Sequence, residues 1–127
     1  MKKVFLPLSI IALFVILSAC QKKKYKTYIG SYNCEITEHL DSNGYFFDTT
    51  YTGIEDITSK DSKHMQFRDL PVPYKYISSS GYFADENFVT GLIWGRQITL
   101  RNDSVIYYHH ESTSDMNWHI RYKGKKI

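Results

Sequence analysis

Val105-Ile106-Tyr107-Tyr108-His109-His110-Glu111, the polar interval Ser112–Asp115, and then Met116-Asn117-Trp118-His119-Ile120-Arg121-Tyr122 decide the fold of this chain. If the interval is a hairpin loop, Glu111 faces Met116, His109 faces Trp118, Tyr107 faces Ile120 and Val105 faces Tyr122. Opposed residues share a sheet face. One face then collects Val105, Tyr107, His109, Met116, Trp118, Ile120 and Tyr122, and the other Ile106, Tyr108, His110, Asn117, His119 and Arg121. A single register that sorts apolar from polar is what a half-buried antiparallel pair requires.

The same period of two recurs upstream. Tyr32, Cys34 and Ile36 alternate with Asn33, Glu35 and Thr37, predicting a first strand over about Tyr28–His39. Asp41-Ser42-Asn43-Gly44 follows, and Asn-Gly is the strongest short hairpin signal. The return strand runs from Tyr45 to about Ile57, with Gly53 read as a bulge. Ser59–Ser62 turns the chain into a strand over Lys63–Leu70, and Pro71-Val72-Pro73 should interrupt pairing because proline cannot donate to a ladder. Tyr74–Glu86 reads as a short strand and a Ser-rich loop at Ser78–Gly81. Phe88–Ile93 and Gln97–Arg101 read as strands bridged by Trp94-Gly95-Arg96, with a turn at Arg101–Ser104. Eleven tyrosines and seven phenylalanines suit pleated surfaces, and no window of helical length keeps an apolar stripe. The expectation is an all-β domain of seven to eight antiparallel strands, a small up-and-down barrel or tight sandwich without exposed edges.

The N-terminus has a different grammar. Met1-Lys2-Lys3 precedes an apolar run from Val4 to Leu17, which ends in Leu17-Ser18-Ala19-Cys20. Fourteen residues fall short of the roughly 20 that a spanning helix needs. The pattern is a charged, apolar and small-residue signal peptide, expected as a helix over residues 1–19. Its last four residues resemble the lipobox of bacterial lipoproteins. That resemblance implies cleavage before Cys20, a diacylglyceryl thioether on Cys20, and usually acylation of its amine by a fatty acid such as palmitate. A membrane anchor made of acyl chains gains about 0.8 kcal/mol per buried methylene, and two or more chains hold stably. Residues 20–26 form a basic tether and 27–127 the domain.

The counts narrow the partners. Without Lys2 and Lys3, 14 of the 16 basic residues remain against 13 acidic ones, a formal +1 that does not favour nucleic acid. From Thr27 to Ile120 there are 6 basic and 13 acidic residues, whereas Lys22, Lys23, Lys24 and Lys26 lie beside the anchor. Of two cysteines, Cys20 is consumed by lipid, so Cys34 should be a buried thiol and the domain free of internal disulfides.

The domain resembles the small lipocalin-like or calycin-like β-domains on short lipoproteins of Bacteroidota. Gly30-Ser31-Tyr32, Gly91-Leu92-Ile93-Trp94-Gly95, Asn102-Asp103-Ser104-Val105 and the ending Tyr122-Lys123-Gly124-Lys125-Lys126 carry that resemblance. It implies a barrel that its own aromatics fill, or one with a ligand mouth. Asp48-Thr49-Thr50 and Asp103-Ser104-Val105 resemble tripeptides that this phylum O-glycosylates, which makes Thr49 and Ser104 candidate glycan sites. Gln21 lacks the aspartate that resembles an inner-membrane retention signal, and Lys22–Lys24 lack the acidity of a surface-export tag. The resemblance therefore implies the outer membrane, facing the periplasm.

Chemistry is sparse. His109 and His110 point to opposite faces of a strand, while His110 and His119 share the polar face two pairs apart with no third ligand fixed, so no metal is expected. Ser78-Ser79-Ser80-Gly81 lacks a nucleophile elbow. Glu35, Glu38, Asp48, Glu55 and Asp56 read as spread along polar strand sides, without a carboxylate dyad. Neither an enzyme nor a cofactor is expected. The leading expectation is a non-catalytic envelope lipoprotein that binds a small apolar ligand or a partner protein. The alternatives are a structural or inhibitor-like module with a filled core, and an envelope hydrolase, which would cluster His109 or His110 with carboxylates around a pocket.

Overall fold

The structure, a computed structural model, describes residues 26–89 and 91–127. The predicted signal-peptide helix over 1–19 and the lipid-bearing Cys20 lie outside the described residues. Eight strands form one antiparallel sheet: β1 (Gly30–Ser42), β2 (Tyr45–Ser59), β3 (His64–Phe67), β4 (Leu70–Pro73), β5 (Tyr82–Val89), β6 (Leu92–Arg101), β7 (Ser104–Ser112) and β8 (Met116–Lys126). A seven-residue helix, α1 (Tyr74–Ser80), separates β4 from β5. The order β4-β3-β2-β1-β8-β7-β6-β5 is a meander in chain order around a circle. Pairing of β1 with β8 joins its two ends, and the seam falls between β4 and β5 beside α1. The expected all-β, up-and-down barrel is what the chain forms, nearly closed, but the expected absence of exposed edges does not hold, because on the side away from β1 the long β2 is paired only at Ile57–Ser59.

The Asn43-Gly44 hairpin forms as its chemistry requires, with φ of 49° and 81° at the two turn residues and Ser42 opposite Tyr45. The β1–β2 register then runs unbroken from Ser42↔Tyr45 to Gly30↔Ile57, so Gly53 is no bulge. It sits opposite Cys34, where a Cβ would come within 3.2 Å of Ile36. The first strand also runs three residues past His39, to Ser42.

Four other readings need correction. Pro71 and Pro73 do not stop pairing: β4 pairs with β3 through both, on the outermost strand where a missing N–H costs the ladder nothing on its outer side. Tyr74–Ser80 is helical, closed by Gly81 at φ 68°, whose N–H reaches the Ile77 carbonyl at 3.1 Å. Trp94-Gly95-Arg96 lies inside the unbroken β6, and the β5–β6 turn sits at Gly91, with φ 81°. The last hairpin slips by two, pairing Tyr107 with Tyr122, His109 with Ile120 and Glu111 with Trp118. Its loop starts at Thr113, whose Oγ1 takes the Asp115 N–H at 3.3 Å and whose own N–H reaches the Met116 carbonyl. An even slip leaves every side chain on its predicted face.

One inner face carries the core. Tyr32, Ile36, Ile57, Phe67, Leu70, Ile98, Leu100, Val105, Tyr107 and Tyr122 are all buried there. Phe67 of β3 meets Tyr107 at 5.1 Å and Tyr122 at 6.0 Å between ring centroids, so the short β3–β4 hairpin folds across the sheet onto β7 and β8. Ile77 of α1 is buried in the same cluster, and the Leu100 N–H of β6 donates to the carbonyl of Gly81, which extends the β5–β6 ladder back to the end of α1. Cys34 is free and buried.

Candidate functional site

The interior is two halves of opposite character. Below, towards the chain ends, side chains fill it. Above, the inward positions of β1, β6, β7 and β8 carry Glu38, Leu40, Leu92, Trp94, Arg96, His109, Glu111, Met116 and Trp118, all only half-buried. The wall is incomplete on this side because β3 and β4 are four residues each and cover only Ile57–Ser59 of the fifteen-residue β2. The upper interior is therefore an open trough, with Phe47 and Tyr51 of β2 exposed on its far bank.

Arg96 anchors the trough floor. Its Nη2 donates to Asp85 Oδ2 at 2.7 Å and its Nη1 to Asp69 Oδ2 at 2.9 Å, while its guanidinium lies 5.2 Å from the Trp94 ring. Burial pulls the Arg96 pKa down, but the Asp85 hydrogen bond and the charges of Asp69 and Asp85 outweigh it and hold the pKa above its ordinary value. Asp69 comes from the two-residue β3–β4 turn, in which Arg68 takes φ 52°. Arg68 itself reaches Glu55 at 2.7 Å and covers the Tyr122 ring at 4.8 Å, which caps the packed core.

Beside Arg96, the His109 ring stands edge-on to Trp118 at 5.0 Å, and its Nε2 lies 3.4 Å from Glu111 Oε1. Desolvation lowers the His109 pKa, and the nearby Glu111 charge offsets only part of that. The ring is therefore neutral at pH 7. Trp118 donates its indole N–H to Glu38 Oε1 at 2.8 Å. Asp69, Leu92, Trp94, Arg96, His109 and Glu111 together line an open cleft of about 340 Å³. Such a volume suits a small ligand.

The sequence reading placed some of these residues and not others. His109 is inward beside Trp118, as expected from its face. Glu38 and Glu55 face inward with partners, not along a polar side, whereas Glu35, Asp48 and Asp56 face out. Arg96, Asp69 and Asp85 were not singled out; the alternation Leu92, Trp94, Arg96, Ile98, Leu100 was the available signal, hidden by reading Gly95 as a turn. His110 and His119 do share the outer face, but directly opposite each other, with His39 stacked on His119 at 4.8 Å. No group of three or more potential ligands poised for a metal occurs among the described residues. Thr49 lies on β2 opposite Glu38, half-buried at the trough's bank. Ser104 opens β7 after the Asn102-Asp103 turn, with its Oγ 3.3 Å from Asp103 Oδ1.

Comparison of the chain with protein-family models, with curated proteins and with solved structures finds no match in any of the three.

Proposed function

We propose that this protein is a lipid-anchored component of the bacterial cell envelope, held by acyl chains on Cys20, that binds a small apolar ligand in its upper trough. The half-open interior carries this reading: beneath it the core is packed with buried side chains, and above it Trp94 lines an open cleft while Trp118 stands half-buried behind His109. Aromatic and aliphatic side chains supply an apolar floor, and Arg96, His109 and Glu111 offer polar groups to orient one end of a ligand. The Leu17–Cys20 pattern supports the anchor, and the meander supports the likeness to lipocalin-like lipoprotein domains facing the periplasm.

Two measurements test it. Cells fed a clickable palmitate should label the wild-type protein and not Cys20→Ser; equal labelling of both sinks the anchor. Native mass spectrometry of protein from its own cells should show a bound small molecule that Trp94→Ala releases. A ligand-free spectrum, with no change in tryptophan emission on titration with anilinonaphthalene sulfonate, sinks the ligand site.

A second reading has one observation behind it. His109, neutral and paired with Glu111 beside a cleft, is the clustering that an envelope hydrolase would need. Turnover of ester or glycoside substrates by the wild type, lost in His109→Gln, would favour it over simple binding.

A further inference from the structure

We infer that the free edge of β2 takes up an extended segment of another protein as an added strand, and that this segment alternates Lys or Arg with aromatic or aliphatic residues. The inference rests on the sheet edge, independently of a small ligand in the trough. On the side away from β1, β2 pairs with β3 only at Ile57–Ser59; Tyr45–Asp56 has no strand beside it among the described residues. In an antiparallel ladder, residues alternate between bonding the neighbour and facing away. Counting from the hairpin's closing pair, Ser42↔Tyr45, the residues Phe46, Asp48, Thr50, Thr52, Ile54 and Asp56 aim N–H and C=O at the open side. Twelve residues at 3.3 Å each make an edge about 40 Å long.

Natural sheets guard such edges with proline, lysine or bulges. The outermost strand β4 has Pro71 and Pro73, but Tyr45–Asp56 has no proline, no lysine and no bulge. Instead Phe46 and Ile54 stand 63% and 66% exposed. Charge selects the occupant. β2 carries Asp48, Glu55 and Asp56 and no Lys or Arg, so a second copy would bring the same carboxylates. The chain also contains a template for what pairs with this hairpin. On the other side of β1, β8 sets Arg121, Lys123 and Lys125 outward, opposite Thr37, Glu35 and Asn33, and turns its Ile120 and Tyr122 inward. A segment of that composition on the β2 edge would lay its cations near Asp48 and Asp56 and its apolar residues towards Phe47 and Tyr51.

The test uses the acylated full-length protein and a fluorescent peptide with the sequence of Met116–Lys126. Saturable binding is expected, weakened about tenfold or more by Thr52→Pro, which removes an edge N–H and leaves the bonds to β1 in place. Asp48→Lys combined with Asp56→Lys should weaken it similarly without touching the backbone, and circular dichroism checks the fold of each variant. Affinity unchanged in both variants overturns the inference. So does a wild-type dimer in light scattering that Thr52→Pro converts to monomer, because the edge would then belong to a second copy. Thr52→Pro should leave the anilinonaphthalene sulfonate response of the trough unchanged; if that response is lost along with peptide binding, the edge is not a separate site and the inference fails.

Discussion

Arg96 shows how one side chain can divide an interior. It is inward on β6, its side chain 16% exposed, and it holds Asp69 of the β3–β4 turn and Asp85 of β5 together. Removing the cation would leave two carboxylates facing each other across the seam. Arg96→Leu should therefore cost about 1–3 kcal/mol in urea unfolding, between the values for exposed and buried pairs. Asp69→Asn should cost less, since Asp69 is 65% exposed and Asp85 would remain as partner. In the packed half the constraint is steric. Gly124 lies opposite Cys34 and Val105, and a Cβ there would collide with Cys34 Sγ and come within 2.9 Å of Val105 Cγ1. Gly124→Ala should destabilise by about 1–3 kcal/mol, and Cys34→Ala in the same chain should recover part of that by vacating the sulfur's space. Burial, with the Glu55 charge second, pushes the Cys34 thiol up to about 11, so it stays protonated at pH 8. Ellman's reagent should then react with Cys34 only as fast as the domain unfolds.

Hairpins were the legible elements, and glycines explain where reading stopped. Asn43-Gly44 is a turn because both residues must take positive φ, and few residue pairs do so without strain. Gly44→Ala should cost about 1–2 kcal/mol for one left-handed residue, seen as a lower urea midpoint with an unchanged slope. The last hairpin's faces were readable from alternation, and its register was not, because a slip of two preserves every face. Gly95 misled for a different reason. It sits in mid-strand with the His110 ring and Glu86 against it, and a Cβ there would come within 2.7 Å of His110 Cε1. Its missing side chain serves packing between strands, while the turn belongs to Gly91. The helix α1 was invisible because Tyr74–Ser80 is two turns long and buries one aliphatic side chain, Ile77, too little for any periodicity. The trough was legible only in part. Alternation marks Trp118 and His109 as inward, but nothing local says that β3 and β4 will be short enough to leave the upper wall open, or that the β3–β4 turn will carry Asp69 across the sheet to Arg96.

At the scale of the whole barrel, two half-buried histidines on opposite faces tie stability to pH. His109, inside, has its pKa lowered first by desolvation, against the raising charges of Glu111 and Asp69 and with the lowering charges of Arg96 and His110. His119, outside, is lowered first by desolvation and then by the His39 ring stacked on it and by His110, against the charge of Asp48. In the unfolded chain both titrate near the ordinary value of about 6.5. Between that value and the lower folded ones the unfolded state binds more protons, so stability rises with pH across the interval. Read downwards, the contribution is full above about pH 6.5 and is lost as pH falls through the lowered folded values. Asp61 acts in a separate window: the Lys63 backbone N–H, then His64, hold its pKa below the ordinary carboxylate value of 3.8, so its contribution is lost only in stronger acid. Melting temperatures measured from pH 7.5 down to 5 should therefore decline, and His109→Gln and His119→Gln should each flatten that decline, additively because the rings lie on opposite faces of the sheet. A decline that persists unchanged in the double variant would place the acid sensitivity elsewhere in the fold.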